Sequence, residues 1–240
     1  MRAAGRLAHR LLDYIESIIE PGMTGLQLDK LADEFTIANG GTSACKGYRG
    51  YKHAVCISTN HILVHGVPTD KHFRRGDIVN VDVTVLVDGW HGDSSRTFIL
   101  SPAPRADLEA LSYHTRAAMF AGIAAVRPGV HVGAIGIAIS KYVAKTPFSV
   151  APMFAGHGIG RVFHDHPTVA HIAVAEDYGP VLEPGMTLTV EPVLVQGKGV
   201  LNARLLSDGW TVVPRGSAYR LSAQWEHTVL VTETGVEVLT

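Results

Sequence analysis

From Val79 to Val87 every second residue is valine, and Asn80, Asp82, Thr84 and Leu86 fill the positions between. That alternation is the period of a strand with one apolar face and one mostly polar face. The Asp88-Gly89 pair predicts a two-residue hairpin turn, which would set Asp82 opposite Ser95 and Asp93 opposite Thr84. In that register both aspartates share a face as diagonal neighbours, with backbones about 7 to 8 Å apart, close enough to share one ion or a pair. A one-residue change in the loop would break this parity. Nearer the start, apolar residues at 7, 11, 12, 15, 18 and 19 make a helical stripe interrupted by charges, unlike the continuous apolar run of a signal peptide. This helix begins close to Met1 without a capping residue.

The hairpin has an echo. RGDIVNVDVTVLVDG (75–89) overlays EPGMTLTVEPVLVQG (183–197) with Gly76 on Gly185, which places Asp82 on Glu191. The segment from Ile18 likewise resembles the one from Ala125, with Pro21-Gly22 on Pro128-Gly129, each leading into a helical pattern. The offsets, 109 and 107 residues, nearly agree, and HGVP (65–68) echoes HDHP (164–167) at a different spacing. Proline-glycine turns and valine-rich strands also recur by chance. A duplicated chain would instead bring one acidic strand from each half to a shared cleft, with Asp82 and Glu191 facing each other across a pseudo-twofold axis.

Composition narrows the class. A chain of 240 residues with 46% hydrophobic content can build one large domain or two small ones. Lys+Arg of 21 against Asp+Glu of 22 offers no global pull towards nucleic acid or anionic lipid. No apolar run is long enough to span a membrane. Cys45 and Cys56 form neither a CxxC motif nor a disulfide framework, which favours a reducing compartment, by default the cytoplasm.

The remaining acid and histidine positions suggest a metal centre. His157 sits among glycines in MFAGHGIGRVFHDHP (153–167), with His164 seven residues on, and Glu226 heads an apolar strand in SAQWEHTVLVT (222–232). A carboxylate there needs a compensating partner. Asp82, Asp93, Glu191 and Glu226 together carry four negative charges, which two divalent cations neutralise, and His157 adds one nitrogen ligand. An oxygen-rich set without thiolate suits Mn, Fe, Co or catalytic Zn, and paired metals can activate water for hydrolysis.

CKGYRGY (45–51), CISTNHILVHGVP (56–68), the two aspartate motifs, GHGIG (156–160), FHDHP (163–167), MTLTVEP (186–192), DGWT (208–211) and SAQWEHT (222–228) occur in fixed order along nearly the whole chain. This order resembles the type I methionine aminopeptidases of bacterial type, whose fold is shared with prolidase and creatinase. The resemblance implies an α+β pita-bread fold. In it, two pseudo-symmetric halves, about 1–110 and 111–240, form one catalytic domain over 1–240, with antiparallel β-sheet cradling a central dinuclear metal site and helices on the outer face.

The same resemblance implies the chemistry. Asp82, Asp93, His157, Glu191 and Glu226 would hold two metals, Asp93 and Glu226 bridging them, while activated water attacks the first peptide bond. Glu191 would act as general base, His164 would bond the scissile amide, and His65 would position substrate and steady the intermediate. The methionine pocket would be walled by Cys45, Tyr48, Tyr51, Cys56, His65, Phe163, His164 and Trp210. Asn60, Ser222 and the Ile62 carbonyl match a monovalent cation site for Na or K. Two departures stand out: Ala155 where the family commonly has cysteine, and Arg49 where histidine is more usual.

The implied substrate is the N-terminal methionine of nascent peptides near the ribosome, removed by a cytoplasmic monomer when the second residue is small. Neither stable nucleic-acid binding nor membrane association is expected. The rivals are an Xaa-Pro peptidase, which shares the five ligands, and a catalytically dead binding module of the same fold.

Overall fold

The structure is a computed structural model that describes residues 1–100, 105–175, 177–199, 201–215 and 219–240. The first part of the chain contributes helices α1 (Arg2–Ile18) and α2 (Gly25–Ala38) and strands β1 (Thr42–Ser43), β2 (Val55–Thr59), β3 (Asp77–Val87) and β4 (Trp90–Leu100). The second begins with α3 (Ala106–Ile123) and α4 (Gly133–Val143), followed by β5 (Phe148–Val150), β6 (Ala155–Gly158), β7 (Asp165–Ala170), β8 (Thr187–Val190) and β9 (Val193–Gln196). It closes with β10 (Ala203–Leu205), β11 (Val212–Pro214), β12 (Ser222–Gln224), β13 (Glu226–Val231) and β14 (Val236–Val238). Among the described residues no helix is long and apolar enough to cross a membrane.

The central sheet runs β1-β3-β4-β13-β8-β6-β7, with β2 also paired to β3 and β14 to β13. All of its described pairings are antiparallel. The β3–β4 hairpin turns on Asp88 and Gly89, both at positive φ (51° and 77°), as a primed two-residue turn requires. The register is the one its sequence dictates: Asp82 pairs with Ser95 and Thr84 with Asp93.

Val79, Val81, Val83 and Val85 point to the outer face, where they pack against Leu7, Leu11, Leu12 and Ile15 of α1. The polar face of β3 is not solvated as a half-buried strand would be, since Asn80 and Thr84 are themselves buried. Asn80 Nδ2 donates to the Gln224 carbonyl at 2.9 Å, so the far half of the chain covers this face.

The second half repeats the first. Its core gathers Met119 of α3, Ile135 and Ile139 of α4, Leu188 and Val190 of β8 and Val229 of β13. Gly22 N–H donates to the Phe73 carbonyl (2.8 Å) and Phe73 N–H to Met23 (2.8 Å); Gly129 donates to Leu182 (2.9 Å) and Leu182 to Val130 (2.7 Å). Gly76 donates to Leu100 at the end of β4, and Gly185 to Val231 at the end of β13. The order β3-β4-β13-β8 therefore reads alike from either side, with the pseudo-twofold between β4 and β13. β13 is not the last strand, because β14 pairs back onto it.

α1 approaches the sheet closely at Gly92, the residue before Asp93. A Cβ there would lie 2.4 Å from the Ala4 backbone carbon and 2.7 Å from the Gly5 nitrogen. Neither atom can yield without moving the helix. Gly92→Ala is therefore expected to destabilise the protein by about 1 to 3 kcal/mol through overpacking, read as a lowered midpoint in urea titration.

Candidate metal centre and substrate cavity

Separate strands deliver the candidate ligands to one place. Asp82 and Asp93 come from the β3–β4 hairpin, Glu226 opens β13 with its Cα paired to Ser95, and His157 lies on β6. Glu191 directly follows β8. Donor atoms of Asp93, His157 and Glu226 all lie within 4.8 Å of one another. His157 Nε2 stands 3.7 Å from Asp93 Oδ2 and 3.7 Å from Glu191 Oε1, and Asp82 lines the same cavity floor.

The electrostatics are severe. Burial pushes Asp82 up to about 7 and Glu191 up to about 8, the latter against a stabilising bond from Thr189 and with added repulsion from Asp82. Burial first, then the neighbouring carboxylates, raises Asp93 and Glu226 well above the usual carboxylate range. Among the described residues no lysine or arginine pairs with any of the four, and His157, itself lowered by burial, is their sole ion-pair neighbour. Four converging carboxylates that lack a cationic side chain, with one imidazole beside them, fit divalent ions of the Mn, Fe, Co or Zn kind.

Neighbouring hydrogen bonds aim these groups. Thr84 Oγ1 donates to Asp93 Oδ1 at 2.8 Å. Thr189 Oγ1 donates to Glu191 Oε1 at 2.7 Å and accepts the His157 N–H at 2.9 Å, so one hydroxyl ties two candidate ligands together. Gln224 Nε2 donates to Glu191 Oε2 at 3.3 Å. His157 Nδ1 lies 3.0 Å from the Gly158 carbonyl, which places the ring proton there and leaves Nε2 free to coordinate. Buried His171 accepts the Glu191 N–H on Nε2 at 3.2 Å, and burial lowers it to about 3.

Thr189, Gln224 and His171 went unassigned in the sequence. The first two lie inside MTLTVEP and SAQWEHT, two residues before a candidate ligand in each case, whereas nothing local marks His171.

Above this floor opens a cavity of about 390 Å³. Cys45, Tyr51, Cys56 and Trp210 line it, as do Tyr48, His65, Phe163 and His164, so all eight predicted pocket residues come together. Trp210 packs edge-on against Tyr51 with centroids 4.9 Å apart, and His164, Tyr48 and Phe163 form a three-ring cluster, His164 stacking on Tyr48 (5.2 Å) and on Phe163 (4.2 Å). Burial, followed by His157, His65 and Arg49, lowers His164 to about 3, and burial lowers His65 as well, so both rings are neutral at neutral pH. Burial also pushes the Cys45 thiol up to about 12 and raises Cys56, which keeps both as uncharged sulfur surfaces rather than thiolate ligands.

Val64, Met153 and Phe154 add apolar lining that the sequence did not single out. Ala155 lines the cavity, and the Arg49 guanidinium sits 5.3 Å from the Tyr48 ring centroid. Away from the floor, Ser222 Oγ donates to the Ile62 carbonyl (2.9 Å) and Ser222 N–H to the Asn60 carbonyl (2.9 Å), which gathers the three predicted cation-site residues.

The profile of metallopeptidase family M24 matches residues 1–233. The methionine aminopeptidase of Salmonella typhimurium is 47% identical over 242 residues, covering 100% of this chain and 89% of the relative. The crystal structure of methionine aminopeptidase from Rickettsia prowazekii superposes with a TM-score of 0.94 at 42% identity, covering 100% of this chain and 94% of the other. Prolidase from Pyrococcus furiosus, at 21% identity, has a TM-score of 0.79, with 100% of this chain and 62% of that one covered; this likeness shows the shared fold alone. The chain belongs to metallopeptidase family M24 and, within it, to the methionine aminopeptidases.

Proposed function

We propose that this protein removes the initiator methionine from peptides whose second residue is small, using two divalent ions held by Asp82, Asp93, His157, Glu191 and Glu226. The carrying observation is the convergence of four carboxylates and one imidazole, without a cationic side chain, on the floor of an aromatic- and sulfur-lined cavity. When bound, the metals supply a strongly acidified water and charge stabilisation for a hydrolytic transition state.

The chain's own groups do the rest. Neutral thiols and aromatic edges at Cys45, Cys56, Tyr51 and Trp210 suit an unbranched thioether, since sulfur and rings are mutually polarisable. Glu191, its Oε1 fixed by Thr189, accepts the proton of the attacking water on its carboxylate and passes it to the departing amine. Neutral His164 hydrogen-bonds the scissile amide, and neutral His65 steadies the developing oxyanion. Asn60, Ile62 and Ser222 hold Na or K in a structural role. We read residues 1–240 as one catalytic domain acting as a cytoplasmic monomer on nascent chains near the ribosome.

Reconstitution of metal-stripped protein with Mn, Co, Fe or Zn is expected to restore hydrolysis of Met-Ala-Ser and not of a peptide with a bulky second residue; faster cleavage of Xaa-Pro peptides would overturn the assignment. Asp93→Asn is expected to lower kcat/KM at least about 100-fold and reduce bound metal on elemental analysis, while raising the Tm of the metal-free protein at pH 8. A mere binding module would keep its function in that variant.

The pH dependence follows from the same carboxylates. Their folded pKa values lie above the unfolded ones, so the metal-free fold is favoured while they are protonated. It loses stability as pH rises from about 4 through the values near 7 and 8. Metal removes that loss, and the Tm gap between loaded and metal-free protein should widen between about pH 5.5 and 8. A gap that stays constant on thermal scanning would contradict the carboxylate cage.

A further inference from the structure

Arg49 is the one lysine or arginine among the residues that line the cavity. It is exposed, and among the described residues its guanidinium makes no ion pair, resting instead over the Tyr48 ring. Neighbouring Lys46 is by contrast paired with Asp33. Two divalent ions on the floor would cancel the four carboxylates. Arg49 then carries the uncompensated charge of the cavity.

The loop beneath it is built to hold that position. Arg49 adopts φ 46° and ψ 29°, a conformation side chains rarely occupy, between Gly47 at φ 90° and Gly50 at φ 86°. Gly47 N–H bonds the Tyr51 carbonyl (2.7 Å), Tyr48 N–H the Cys45 carbonyl (3.0 Å) and Tyr51 N–H the Tyr48 carbonyl (2.9 Å). The turn that sets Tyr48 and Tyr51 into the cavity thus leaves Arg49 at the rim, over the Tyr48 ring.

We infer that Arg49 is a specificity-determining residue that favours peptides bearing Asp or Glu at the third or fourth position. This inference rests on the aminopeptidase reading above. With methionine against the Cys45, Cys56, Tyr51 and Trp210 walls and its peptide bond at the metals, an extended substrate advances about 3.3 Å per residue and leaves past the rim within two residues. An acidic side chain there meets the unpaired guanidinium, whereas a lysine meets like charge.

The test uses C-terminally amidated peptides Met-Ala-Xaa-Ser and Met-Ala-Ser-Xaa, with Xaa as Asp, Ser or Lys, on the metal-loaded enzyme. The Asp-to-Lys ratio of kcat/KM is expected to be about 3 to 10 at one of the two positions, carried by KM and compressed in 0.5 M NaCl. In Arg49→Gln the ratio should fall to near one, and in Arg49→Glu it should invert. Because each ratio is internal to one variant, a general loss of activity does not obscure it. Cleavage of the Ser peptides with no Asp-to-Lys preference, or a preference that survives Arg49→Gln, overturns the role of Arg49 alone. Failure to cleave any Met-Ala peptide overturns the aminopeptidase reading and this one with it.

Discussion

Placing four carboxylates in one desolvated pocket is the constraint around which this molecule is organised. Carboxylates without a partner resist burial, and here burial and then the neighbouring carboxylates raise Asp93 and Glu226 well above the usual range. The protein offers them neutral or weakly polar company: threonine hydroxyls, a glutamine amide and a neutral imidazole. Such donors orient oxygens without neutralising them. Above the pH at which they hold their protons, the compensation falls to bound cations, and the same uncompensated field that opposes folding of the empty protein is the affinity that captures metal.

The fold meets that constraint by duplication. Each half supplies a helix pair, a left-handed glycine closing a short bridge, and two carboxylates: Asp82 on β3 and Asp93 on β4 from the first, Glu191 just after β8 and Glu226 on β13 from the second. Apolar residues on the outer face pack under the helices, so the inner face of both halves is free to be polar. β13 pairs with β4 through Glu226 and with β8 through His227 to Leu230, which makes it the seam that fixes the distance between the halves. The Asp88-Gly89 turn fixes the other parameter, the parity that keeps Asp82 and Asp93 on one face.

The parts legible in the sequence were those governed by local rules. Valine alternation and an Asp-Gly turn specify register over short range, so the Asp82–Ser95 pairing followed without structural knowledge. Repeated proline-glycine motifs disclosed the internal symmetry because each marks a backbone that must reverse at positive φ. His65, His164 and the pocket aromatics were reached through motif resemblance, since an aromatic near a turn looks the same whether it fills a core or walls a cleft. Thr189, Gln224 and His171 had no such handle. Their importance lies in hydrogen bonds to a side chain or backbone group held by tertiary packing, and a threonine in a strand or a histidine in a loop gives no periodic sign of it. Burial of the polar face of β3 was equally hidden, because the covering residues arrive from more than a hundred positions downstream.

The seam at β13 has a temporal consequence. During translation Asp82, Asp93, His157 and Glu191 all leave the exit tunnel before Glu226, and β4 has no partner across the pseudo-axis until the strand carrying that residue emerges. A stalled polypeptide ending short of β13 would possess the aromatic walls without a finished hydrolytic centre. The proposed ligand set therefore stays one carboxylate short until β13 has been made, and a product terminated before it also lacks the strand that joins the two halves.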